Sequence, residues 1–129
     1  MKTLYTDKAP AAIGPYSQAI CANGFLYASG QIPVNPATGL IEAEDISGQA
    51  EQACRNVAAL LDAAGIGFDR VVKTTCFLAD MADFSAFNEV YAKYFVSRPA
   101  RSCVAVRSLP KNALCEIEAV AVLEREAEL

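Results

Sequence analysis

Arg101 and Cys103 lie two residues apart in a segment read as a strand over 101–106. Glu116 and Glu118 lie two apart in another over 114–123. Alternate residues of a strand share a face, so each pair points one way. An arginine is always charged and can take a carboxylate through two parallel N–H bonds. A thiol beside it has its thiolate favoured, which permits nucleophilic attack. A glutamate can hold a water molecule and take its proton. Each residue also has an ordinary structural use, Arg101 in an ion pair, Cys103 as a small buried thiol and Glu116 in a cross-strand pair.

Absences narrow the chemistry further. The chain has no histidine, so acid–base work falls to Glu, Asp, Cys, Tyr, Lys or bound water. Cysteine and carboxylate spacing gives no zinc pattern, and no metal is expected. The net charge is −4 and Lys and Arg nowhere cluster, which argues against a nucleic-acid partner. The five cysteines form no C-x-x-C pair, and the first 18 residues lack the apolar run of a signal peptide. Reduced thiols in a cytoplasmic protein are the plain expectation. No apolar run of about 18 residues predicts a membrane span.

Elements must position these side chains. A length of 129 residues fits one domain, 1–129, and 53% hydrophobic content is high for a small monomer. Strands are predicted over 18–22 and 25–29, around Asn23-Gly24, a dipeptide suited to a type I′ turn. Ala50, Ala53, Cys54, Val57, Ala58, Leu61 and Ala64 recur at helical spacing and predict a helix over 47–64, stopped by Gly65. Residues 70–78 read as a strand. Asp83 is placed as the cap of a second helix with an inward stripe of Phe84, Phe87, Tyr91, Tyr94 and Phe95. The strands at 101–106 and 114–123 follow, and 124–129 reads as a charged, frayed end. The order predicts an α+β sheet with both helices on one face. A partner subunit is the simplest cover for the other.

Several segments occur together in order: AAIGPYSQ at 11–18, SGQIPVNPATG at 29–39, Asp83-Phe84 with Asn88 and Tyr91, RPARSCV at 98–104, and LPK at 109–111 followed by EIEAVAV at 116–122. In this register the chain closely resembles the reactive intermediate deaminase family, also called YjgF/RidA, from about Pro10 to Val122. The resemblance implies a ferredoxin-like, chorismate-mutase-like mixed sheet and a homotrimer with active sites in the clefts between subunits. It implies hydrolysis of 2-iminopropanoate and 2-iminobutanoate to 2-keto acids and ammonia, with no cofactor. Residue by residue, it places the carboxylate-binding arginine at Arg101, the site cysteine at Cys103 and the glutamate at Glu116. Tyr16, Ser29, Gly30 and Asn88 fall on the remaining pocket positions. Glu118, on the same strand face as Glu116, is the alternative glutamate.

Imine hydrolysis does not require a covalent intermediate, so Cys103 reads as a pocket wall and weak polar contact. Tyr16 can bond substrate or pack as an interface aromatic, Ser29-Gly30 can be an ordinary turn, and Asn88 can be a solvated helix residue. Two other functions are compatible with the resemblance. One is an endoribonuclease acting as a translation inhibitor (the L-PSP type), and the other is a non-enzymatic carboxylate-binding or chaperone-like protein.

Overall fold

Asn23 and Gly24 adopt φ of 52° and 82°, the two positive values that a type I′ turn demands. They join β2 (Ala19–Ala22) to β3 (Phe25–Gln31) in an antiparallel hairpin, as the dipeptide predicts. The computed structural model describes residues 1–124; most of the predicted frayed end, 124–129, lies outside the described residues. β1 (Lys2–Leu4), β4 (Val71–Leu78), β5 (Ala100–Ala105) and β6 (Cys115–Val122) complete one sheet, ordered β1-β2-β3-β6-β4-β5. β4 and β5 pair in parallel and the other described neighbours pair antiparallel, so the sheet is mixed. β1 has no counterpart in the sequence reading, because three residues are too few to show a period of two.

Helix α1 (Ile46–Ala63) starts one residue before the predicted segment, with Asp45 as its N-cap accepting a bond from the Gly48 N–H at 2.8 Å. It ends in a Schellman motif. The Gly65 N–H donates to the Asp62 carbonyl, the Ile66 N–H donates to the Leu61 carbonyl, and Gly65 takes φ 76°. Its apolar face, including Cys54, Val57 and Leu60, packs on Cys115, Ile117, Ala119 and Ala121 of β6. The helix also secures the chain leaving β3, because the buried Asn56 amide donates to the carbonyls of Ile32 at 3.0 Å and Val34 at 2.9 Å.

Helix α2 (Phe84–Tyr94) lies against α1, with Phe87, Tyr91 and the following Phe95 buried as predicted. Phe84 and Tyr94 are half-buried, and the Tyr94 hydroxyl bonds the Glu51 carboxylate. The predicted side-chain cap from Asp83 does not form. A 3-10 turn over Met81–Asp83 runs directly into the helix and holds Asp83 in αR geometry. Asp80 instead caps that turn, accepting from the Ala82 N–H at 2.9 Å.

The sheet faces are unequal. Val71, Thr74, Cys76 and Leu78 of β4 join the odd-numbered β6 residues beneath the helices, whereas among the described residues no helix covers the opposite face. Tyr27, Val72 and Val104 remain 47%, 41% and 46% exposed.

Because one Asp45 side-chain bond starts α1, the Asp45→Ala variant should lose about 1 kcal/mol of stability. Urea denaturation of the two proteins checks this, and an unchanged midpoint would remove Asp45 as the cap.

Candidate functional site

The parallel register sets Thr74 opposite Arg101 and Cys76 opposite Cys103. Paired residues share a face, so Arg101 and Cys103 point to the helix side of the edge strand β5. There the Arg101 guanidinium lies 4.7 Å from the centroid of the Tyr91 ring and 5.6 Å from that of Phe84. Its Nη1 donates to Asn88 Oδ1 at 2.7 Å. Asn88 is therefore turned toward the arginine and is not a solvated helix residue. The ordinary reading of Arg101 as an ion-pair member fails as well, since among the described residues it has no carboxylate partner.

Periodicity assigns Tyr91 to the core. The ring is buried, yet it is also the platform under the guanidinium, and its hydroxyl meets Thr74 Oγ1 at 2.7 Å. Burial pushes the Tyr91 phenol up to about 12, so it is neutral at physiological pH. A helical apolar stripe carries no signal for this second role, because core and platform positions share one spacing.

Cys103 is half-buried, and burial raises its thiol despite the opposing charge of Arg101. Beside it, burial pushes Cys76 up to about 12. Desolvation outweighs the cation at both sulfurs, so both are thiols at neutral pH and Cys103 is a poor nucleophile.

Glu116 lies elsewhere. It pairs with Phe77 and alternates with the buried Cys115 and Ile117, which puts it on the helix-free face with Glu118. Burial raises its carboxyl, and the nearby charge of Glu118 raises it further. Of the two glutamates, Glu116 is the half-buried one that meets Gly30, and Glu118 is exposed. A Cβ on Gly30 would stand 1.9 Å from Glu116 Oε2, so only glycine admits the carboxylate there. Gly30 and Tyr16 help line a cleft of about 410 Å³ that Ile13, Ile32 and Lys111 also border. Tyr16 is 54% exposed. Ser29 does not offer its hydroxyl hydrogen to this cleft, because Oγ donates to the Ser17 carbonyl at 2.6 Å.

The candidate residues thus form two groups in one chain. Arg101, Cys103 and Asn88 meet at the β5 edge under α2, while Tyr16, Gly30 and Glu116 gather beside β3. Among the described residues no three His, Cys, Asp or Glu side chains are grouped to hold a metal ion.

A mixed six-stranded sheet with two helices on one face, an unpaired arginine at its edge and a glycine-cradled glutamate behind it define one class of α+β protein. The chain belongs to the family described as Endoribonuclease L-PSP, whose model matches residues 6–123. This agrees with the resemblance read from the motifs. The chain is 49% identical over 125 residues to the 2-iminobutanoate/2-iminopropanoate deaminase of Salmonella typhimurium, covering 94% of this chain and 97% of that protein. A RutC family protein of Synechocystis, slr0709, is 52% identical over 126 residues, covering 95% and 97%. The crystal structure of E. coli TdcF with bound serine superposes with a TM-score of 0.90 at 44% identity, covering 95% of this chain and 98% of that one.

Because burial keeps Cys103 protonated at pH 7, iodoacetamide should label it more slowly than free cysteine. Arg101→Gln should slow it further by removing the one contribution that lowers its pKa. Peptide mapping after timed alkylation reads both effects, and labelling faster than free cysteine would restore Cys103 as a nucleophile.

Proposed function

We propose that this chain is a deaminase that hydrolyses 2-imino acids such as 2-iminobutanoate and 2-iminopropanoate, in clefts shared between subunits of a homotrimer. The observation that carries the reading is the separation of the two residue groups. Across the sheet Gly30 on β3 is three strand spacings of about 4.8 Å, roughly 14 Å, from β5, and Glu116 on β6 is two, roughly 10 Å, and the two groups face opposite ways. A three- or four-carbon acid cannot touch both groups of one chain. A second copy presenting Tyr16, Gly30 and Glu116 to the Arg101 edge would complete the site, and the exposed helix-free face offers the apolar surface for assembly.

In that cleft the substrate carboxylate docks on the Arg101 donors that Asn88 leaves free. The neutral Cys103 thiol forms a wall. Glu116 takes a proton from water as the oxygen adds to C2 and the C=N electron pair moves onto nitrogen. The same carboxyl then returns its proton to nitrogen, the C–N bond breaks as ammonia leaves with the electron pair, and Glu116 takes the C2 hydroxyl proton as the C=O of the 2-keto acid forms. Water reacts with free imines unaided, so holding the parts in line supplies much of the acceleration required. Ribonuclease activity, the reading attached to the family's description, would need RNA to bind a chain of net charge −4 without histidine.

Arg101→Lys keeps the charge but loses the fork, so imine turnover should fall substantially, and Arg101→Ala should lower it roughly 30- to 1000-fold with little change in melting temperature. Coupled production of the imine by a dehydratase provides the assay. The shared cleft is tested by mixing. Unfolding and refolding inactive Arg101→Ala and Glu116→Gln proteins together should restore about a quarter of parental activity, the fraction of clefts that receive both intact halves. No recovery would place the whole site within one chain. Glu118→Gln removes a charge that raises the Glu116 carboxyl, so the acid limb of the rate profile should move to lower pH. A limb that stays in place would exclude Glu116 as the base.

A further inference from the structure

Arg101 is not the only cation at its edge of the sheet. A cleft of about 600 Å³ opens between α2 and β5, bordered by Arg101, Arg98, Tyr91, Phe95, Val96 and Pro99 among others. Among the described residues none that lines it is acidic. Among the described residues Arg98, like Arg101, forms no ion pair, in contrast to Arg55 with Glu51 and Arg70 with Asp69.

The backbone of Arg98 is held in an unusual shape. Its φ is 52°, in the left-handed region, although it is neither glycine nor asparagine and it precedes Pro99. Such a backbone is strained and persists only where its surroundings impose it. The Arg98 N–H donates to the Phe95 carbonyl at 3.1 Å, which closes the turn after α2 and fixes where the side chain departs. The three residues from Arg98 to Arg101 span at most about 10 Å of chain, and both arginines border one cleft.

A monocarboxylic imino acid uses one guanidinium and leaves the other without a partner. We infer that Arg98 is a specificity-determining residue and that the site favours four- and five-carbon 2-imino dicarboxylic acids, the C1 carboxylate on Arg101 and the distal carboxylate on Arg98. The inference rests on Arg101 as the carboxylate clamp of the proposed deaminase. The reaction is unchanged by it, since water replaces the nitrogen at C2 and the distal carboxylate takes no part. The imines of this class arise where amino dicarboxylic acids are oxidised at the α-carbon, so an amino-acid oxidase or dehydrogenase reaction would supply them.

The test uses stable products in place of the imines. 2-Oxoglutarate and 2-oxopentanoate differ only in the distal carboxylate, and calorimetric titration of the full-length protein gives the affinity for each. The parent should bind 2-oxoglutarate about tenfold more tightly than 2-oxopentanoate. In Arg98→Asn, which tolerates the left-handed backbone, that ratio should fall to about one. Arg98→Lys should keep much of the preference, a rescue that a merely structural role for Arg98 would not give. Equal affinities in the parent, or a preference that survives Arg98→Asn, would overturn the inference while leaving the clamp intact. If 2-oxopentanoate fails to bind, or binds Arg101→Ala as well as the parent, the clamp reading falls and this inference falls with it.

Discussion

β4 pairs in parallel with β5 and antiparallel with β6, and this double pairing assigns each candidate side chain to a face. Because side chains alternate with a period of two, a slip of one residue along β5 would carry Arg101 and Cys103 to the open face. The same slip along β6 would bury Glu116 beneath the helices and expose Ile117. The slip along β6 is intolerable, since Cys115 and Ile117 are fully buried and cannot be exchanged for charged residues. The hydrophobic core therefore fixes the face on which Glu116 stands. The register that hides the odd positions of β6 is the one that presents Glu116 to Gly30.

Among the described residues Arg101 is held without being neutralised. An aspartate or glutamate beside it would fix the guanidinium but would also occupy the charge. Here an amide oxygen from Asn88 takes one N–H, and the Tyr91 and Phe84 rings supply a flat, polarisable bed. Tyr91 is itself fixed by burial and by Thr74, a residue of the neighbouring strand directly opposite Arg101. The arrangement spends no anion on orientation and leaves the cation available to an incoming carboxylate.

Much of this was legible in the residues. Asn23-Gly24 marked a turn, the alanine-rich repeat and Gly65 marked α1 and its stop, and alternation placed Arg101 with Cys103 and Glu116 with Glu118. What escaped were features set by tertiary contact. β1 is too short to show a pattern and gains its place by pairing with β2. Asp83 carries a capping residue's chemistry but loses the role to the 3-10 turn before it. The second use of Tyr91, and the bond that turns Asn88 inward, depend on where β5 runs beneath α2, which no local period records. Most of all, spacing along the chain could not show that Arg101 and Glu116 point to opposite faces, because that follows from how two strands share β4.

The opposite placement of these two groups carries its own logic. Among the described residues Arg101 is a cation without an anion, and Glu116 is a half-buried carboxylate that the charge of Glu118 repels. Each group lacks what the other would supply, yet the sheet keeps them apart within one chain. The class of substrate proposed here is itself dipolar, with a carboxylate at one end and a protonated imine at the next carbon. A cleft that joins the arginine edge of one subunit to the glutamate face of another would meet both ends with the opposite charge. It would return to Glu116 the cationic neighbour that favours its ionised form, the form able to take a proton from water. Assembly would then do more than cover apolar surface, since it would bring the base and the clamp within reach of one small molecule.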